Sequence, residues 1–196
     1  MNVVIIDYGT GNLRSVLNAL QRLGVEGRLT ADPDEILRAD KVLLPGVGNA
    51  SEAVGKLRDR GLDAVIKTLR RPVLGICVGM QVMCRRSDEG GARGLGIFDT
   101  DVVQMQPTPG AKVPHMGWNG VSNLDSKLFK GIPEGEYFYF VHSFAPGLCT
   151  DTIATTRHGD LMFSSALKYE NFYGTQFHPE KSGSAGEALL KNFLAL

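Results

Sequence analysis

Pro72-Val73-Leu74-Gly75-Ile76-Cys77-Val78-Gly79 carries an apolar run directly into a helix-like segment, Val78 to Arg85. A short continuous apolar run of this kind reads as a strand buried on both faces, the pattern of parallel sheets. Glycines two residues to either side of Cys77 permit a tight turn between strand and helix. That turn pushes the Cys77 side chain out at the carboxyl end of the sheet, where open α/β sheets hold their reactive groups.

The same alternation extends upstream. Asn2-Val3-Val4-Ile5-Ile6 is a first buried strand. Leu13, Val16, Leu17, Leu20 and Leu23 then recur at helical spacing, and Gly24 can end that helix. Val25 to Leu29 reads as a second strand, and Asp32-Pro33 starts a short helix through Leu37. Val42-Leu43-Leu44 is a third strand, closed by Pro45-Gly46-Val47-Gly48. Ser51 can cap the next helix, with Ala53, Val54 and Leu57 on its apolar face. Strand and helix in turn, joined by short loops, imply parallel βαβ units.

Downstream the pattern changes. Asp101 to Met105, Tyr137 to Val141, Thr152 to Thr156, Met162 to Tyr169 and Phe172 to Gln176 are short β-rich runs separated by Gly, Pro, Asn and Asp. They predict antiparallel or mixed strands joined to the parallel sheet. A helix from Ala185 to Leu194 follows. No repeat or linker interrupts the chain. The expectation is one α/β domain over residues 1–196, with a flavodoxin-like open, mostly parallel sheet, flanking helices and extra antiparallel strands in the C-terminal half.

Lys plus Arg and Asp plus Glu both number 21, so the net charge is zero. That argues against a broad electrostatic grip on nucleic acid or an anionic membrane. No apolar run is long enough for a membrane span or a signal h-region, so a cytoplasmic location is expected. Cys77, Cys84 and Cys149 form no CxxC pair, and free thiols are their default state. No metal-ligand spacing is present.

The chemistry follows from Cys77. Thiolate is the nucleophilic form, and a helix N-terminus favours it. The N–H of Val78 would point toward an oxyanion formed at Cys77. Elbow spacing alone fits a buried cysteine between packing glycines equally well. Cys84 lies one heptad later on the predicted helix, where it reads as core, and Cys149 reads as a bystander. A nucleophilic cysteine needs a base nearby in space. Of His115, His142, His158 and His178, the last stands at the end of a strand, with Pro179 stiffening the turn. Glu180 is close enough to orient its imidazole. Cys77, His178 and Glu180 would form a triad. Pro45-Gly46-Val47-Gly48 also follows a strand, so Val47 or Gly48 could supply a second oxyanion donor; alone, it is an ordinary turn.

Gly75-Ile76-Cys77-Val78-Gly79-Met80-Gln81 and Gly174-Thr175-Gln176-Phe177-His178-Pro179-Glu180 resemble the two motifs of the class I, triad-type glutamine amidotransferases, in order and separation, over nearly the whole chain. The resemblance implies that Cys77 attacks the side-chain amide of glutamine and that His178 moves the protons. It also implies that Gln81, Glu89, the backbone near Gly48 and Ser143 hold the substrate, and that no cofactor or metal is needed. Asp7 to Val16, Pro114 to Asn119, Phe140 to Phe144 and Pro179 to Ser182 resemble the branch of this family that feeds ammonia to a phosphate-binding (β/α)-barrel cyclase. That implies a heterodimer with a cyclase subunit, with Asn12, Trp118, Tyr139 and Lys181 at the interface. Three rivals stay open: the same chemistry with another synthase, a peptidase on the same fold, and a non-catalytic binding module. The last is weakened by Gly9-Thr10-Gly11, where Arg14 replaces the third glycine of a dinucleotide fingerprint.

Overall fold

The computed structural model describes residues 1–196. Its first half lays down four parallel strands: β1 (Val3–Ile6), β2 (Gly27–Thr30), β3 (Lys41–Gly46) and β4 (Val73–Cys77). Between them run α1 (Leu13–Arg22), α2 (Pro33–Leu37), α3 (Ala50–Asp59) and α4 (Leu62–Thr68). After β4 comes the single turn α5 (Val78–Gln81). The next strands are β5 (Cys84–Ser87), β6 (Ala92–Arg93), β7 (Phe98–Gln104), β8 (His115–Val121), β9 (Glu136–His142) and β10 (Phe144–Pro146). The chain closes with β11 (Thr152–His158), β12 (Leu161–Tyr169), β13 (Phe172–Thr175) and α6 (Gly183–Leu194).

The main sheet has the order β11-β12-β13-β4-β3-β1-β2. β13 and β3 flank β4, both parallel to it. β12 runs antiparallel to β13 and to β11. The expected parallel sheet with an antiparallel extension is therefore what forms. Every residue of β1, β3, β4 and β13 is buried, as covering both faces with helices or loops requires. A second sheet, β10-β7-β5-β6, and the β8–β9 hairpin lie beside it. Aromatic packing ties the hairpin to the main sheet: Phe138 and Phe140 meet Phe177 with ring centroids 4.2 and 5.7 Å apart. No helix is long and apolar enough to cross a membrane.

Several local expectations are corrected. The helix expected from Val78 to Arg85 stops at Gln81, and Cys84 lies on β5. Sheet pairing overrides the helical pattern there. β5 pairs with β7 and β6, Gly94 approaches the Cys84 carbonyl closely, and Arg85 and Arg86 swing outward to Asp99 and Asp101. Cys84 is buried as expected, and burial raises its thiol pKa well above the ordinary value. The cap of α3 is Asn49, not Ser51: its Oδ1 accepts from the Ser51 and Glu52 N–H groups at 2.8 and 3.2 Å. Pro45 and Gly46 belong to β3 rather than to the loop after it.

Candidate active site

β4 delivers Cys77 to the carboxyl edge of the sheet, between Gly46 of β3 and the loop after β13. The unusual dihedral of the elbow belongs to Cys77 itself, with φ 54° and ψ −113°. The flanking glycines do something other than turn. A Cβ on Gly79 would sit 1.7 Å from the Leu44 carbonyl oxygen, and one on Gly75 would sit 2.7 Å from the Gly79 oxygen. They let α5 lie directly on β3 and β4, so its first N–H groups reach the sheet edge. The N–H of Val78 opens α5 and has no partner within the helix, which leaves it free to meet an anion beside Cys77.

His178 follows β13, and its own backbone N–H donates to the Tyr139 carbonyl at 2.9 Å. Pro179–Lys181 then form a 3₁₀ turn. Ser182 Oγ braces that turn, donating to the His178 carbonyl at 2.6 Å and accepting from the Tyr139 N–H at 3.0 Å. The turn brings Glu180 under the ring, and His178 Nδ1 donates to Glu180 Oε1 at 2.8 Å with both side chains buried. With Nδ1 so engaged, Nε2 is the nitrogen left for proton transfer. It is buried with no hydrogen-bond partner of its own. Burial opposes charge on this ring, but the Cys77 sulfur and then the Glu180 carboxylate outweigh it and raise the pKa of His178.

Cys77, His178, Val47, Gly48, Val78, Gln81, Glu89 and Ser143 line one cavity of about 180 Å³. The structure thus gathers the expected nucleophile, base, oxyanion donors and substrate-holding residues, and Glu180 stands behind His178. Glu89 reaches the cavity from a short 3₁₀ turn, with Oε2 accepting the Ala50 N–H at the start of α3 at 2.7 Å. The end of β3 and the residue after it are held from the β1–α1 loop. Tyr8 donates to the Pro45 carbonyl at 3.0 Å and Thr10 to the Val47 carbonyl at 2.8 Å. Sequence reading missed Tyr8, Thr10 and Gln176, whose partners lie far along the chain.

Trp118 and Tyr139 pair across the β8–β9 hairpin, edge to face at 6.2 Å, and Lys181 Nζ lies 5.8 Å from the Tyr139 ring. Trp118 is 55% exposed. Asn12 caps α1 without a side-chain bond, and α1 packs against the turn that bears Lys181. Three of the four candidate interface residues therefore touch, and Asn12 lies on the element next to them.

Residues 4–196 match the family described as glutamine amidotransferase class-I. The chain is 54% identical to imidazole glycerol phosphate synthase subunit HisH of Bacteroides fragilis (strain YCH46), covering 100% of both chains. It is 51% identical to the subunit of the same name from Escherichia coli (strain K12), again over 100% of both. A solved glutamine amidotransferase shares the fold with a TM-score of 0.75 at 18% identity, over 99% of this chain and 98% of that one.

Proposed function

The chain belongs to the class-I glutamine amidotransferases, and from that premise we infer that it is the glutaminase subunit of an imidazole glycerol phosphate synthase, acting in histidine biosynthesis. It hydrolyses glutamine to glutamate and ammonia; the lyase reaction belongs to the assembled synthase.

The observation that carries the assignment of the site is Cys77 at the strained elbow beside the buried His178–Glu180 pair. His178 Nε2 takes the thiol proton, and Cys77 Sγ attacks the side-chain amide carbon of glutamine. The carbonyl oxygen becomes an oxyanion facing the N–H groups of Val78 and Val47. His178 returns the proton to the leaving nitrogen, and ammonia departs. Water, deprotonated by His178, then attacks the glutamyl thioester, releasing glutamate and restoring the thiol. Glu180 stabilises the imidazolium through its bond to Nδ1. Glu89 suits the α-ammonium of glutamine, while Gln81, Ser143 and the Gly48 backbone hold the rest.

The ammonia goes to a cyclase subunit in a heterodimer, where it enters the ribotide converted to imidazole glycerol phosphate and an aminoimidazole carboxamide ribotide. Enclosed transfer fits the chemistry, because ammonia loses its lone pair to a proton in neutral water. The hairpin face bearing Trp118 and Tyr139, next to Lys181 and Asn12, fits the docking surface: an exposed Trp makes a good anchor. Three free thiols fit the cytoplasm.

Glutamate release measured with and without the cyclase and its ribotide ligand tests the reading. Activation by the cyclase and loss of all release in Cys77→Ala are expected. Retained release in that variant refutes the mechanism, and indifference to the cyclase refutes the pairing.

A further inference from the structure

Gln176 is fully buried, two residues before His178, and has no part in the steps above. Its Nε2 donates to Cys77 Sγ at 3.6 Å. We propose that Gln176 positions the nucleophile: its amide N–H holds the sulfur and favours the thiolate, and a directed chain of buried hydrogen bonds fixes which end of that amide faces Cys77. The proposal rests on Cys77 being the nucleophile.

The direction follows from one atom that can only accept. The Phe144 carbonyl receives His142 Nδ1 at 2.9 Å and Gln81 Nε2 at 3.0 Å. Gln81 must therefore turn its nitrogen this way. The same nitrogen donates to Gln176 Oε1 at 2.9 Å. With its oxygen so used, Gln176 presents nitrogen to the sulfur. Flipping the amide would set two NH₂ groups against each other and an oxygen lone pair against the thiolate.

The other arm is equally constrained. Because His142 donates through Nδ1, its neutral ring accepts through Nε2, from His115 Nδ1 at 2.9 Å. His115 Nε2 in turn accepts from Asn119 Nδ2 at 3.1 Å, and Asn119 also donates to the Arg157 carbonyl at 2.9 Å. Desolvation keeps both rings neutral, lowering the pKa of His142 to about 3 and of His115 to about 4. A doubly protonated ring would put two donors where the chain has room for one. The chain thus runs from the hairpin that bears Trp118 to the reacting sulfur, with every donor assigned.

An N–H aimed at sulfur does little for a neutral thiol and much for a thiolate, since bonds to charged groups are about twice as strong. The titratable groups around Cys77 are His178 with Glu180 behind it, Tyr8 from the β1–α1 loop, and Glu89 and the neutral His142, which line the same cavity. Changing Gln176 alters none of them.

The test is the pH dependence of iodoacetamide labelling at Cys77, followed by peptide mass spectrometry in the full chain, free and with the cyclase. Gln176→Met keeps the volume without donor or acceptor, and Gln176→Glu, when ionised, replaces the donor by a charged acceptor of the same shape. In both, the labelling midpoint is expected to rise by about one pH unit or more, with kcat for glutamine down about tenfold or more and KM nearly unchanged. A role in packing alone would lower thermal stability and leave the midpoint in place. Folded variants with the original midpoint overturn the proposal. The unaltered protein gives a second readout. The ¹⁵N side-chain amide resonance of Gln176 is expected to titrate with the Cys77 thiol and to stop titrating in Cys77→Ala. A resonance indifferent to thiol ionisation also overturns the proposal. Glutamine hydrolysis persisting in Cys77→Ala would instead remove the nucleophile assignment itself, so the two failures are distinct.

Discussion

Replacing Cys77 by glycine is expected to leave the protein at least as stable as replacing it by alanine, the reverse of the order at an ordinary strand end. Both variants lose the sulfur, so they differ only in Cβ. At φ 54° and ψ −113° a residue with a Cβ is strained, at a cost of roughly 1–3 kcal/mol that alanine keeps and glycine releases. Two effects oppose glycine: greater freedom in the unfolded chain, about 0.4–1 kcal/mol, and loss of one buried carbon, about 0.8 kcal/mol. With strain near the middle of its range, glycine leads by about 0.5 kcal/mol, whereas an unstrained site would put alanine ahead by about 1.5 kcal/mol. The difference of about 2 kcal/mol corresponds to roughly 4–8 °C in Tm for a chain of this size. Urea denaturation followed by circular dichroism resolves it, provided the two m-values agree. Alanine more stable than glycine by over about 1 kcal/mol would refute the claim that the elbow stores strain on Cys77.

Glu180→Gln is expected to lower kcat for glutamine by about 10²–10⁴-fold, because an amide can donate to His178 Nδ1 and hold the wrong tautomer; an activity near wild type in the cyclase-bound state would count against Glu180 as the orienter. Gly79→Ala places a Cβ 1.7 Å from the Leu44 oxygen. A backbone atom cannot step aside, so a loss above about 3 kcal/mol is expected in urea, and a milder one would mean α5 can lift off β3. Acid stability should reflect His115 and His142. Their folded pKa values, about 4 and about 3, lie below the unfolded value, so their stabilisation is complete above about pH 6.5 and lost as pH falls toward the folded values. Between pH 7.5 and 5 each contributes a loss of about 2 kcal/mol. His178, with a raised pKa, acts in the opposite sense: its stabilisation is present below about pH 6.5 and lost as pH rises through the folded value. Proton NMR of the rings checks the pair, and titration of His115 or His142 near pH 6.5 would contradict the buried chain.

The parallel core was legible because burial on both faces leaves a local record: Val3–Ile6 and Val73–Cys77 are continuous apolar runs, and helical spacing separates them. The grouping of Cys77, His178 and Glu180 was legible for a related reason. Cys77 ends β4, His178 follows closely on β13, and the His178–Glu180 bond spans two residues, so the chain order already holds much of the geometry. Cys84 shows where that reasoning stops. Val78 to Arg85 carries helical spacing, yet the segment from Cys84 joins β7, because pairing with a strand further along satisfies more backbone than another turn of helix would. The Asn49 cap was missed for a smaller reason, since Asn49 and Ser51 are equally good caps and only the position where α3 starts chooses between them.

The amino-acid sequence alone determined the parallel sheet, the elbow and the order of Cys77, His178 and Glu180 along the strand ends and the turn after them, because periodicity and two-residue spacings act within a few residues. The tertiary structure decided that Cys77 itself bears the strain, that Gly79 is an aperture for the Leu44 carbonyl, and that Gln176 and two neutral histidines stand behind the sulfur. Those partners are separated by 27 to 99 residues in the chain. Only the closed core brings them within hydrogen-bonding distance, and only its exclusion of water makes the direction of each bond matter.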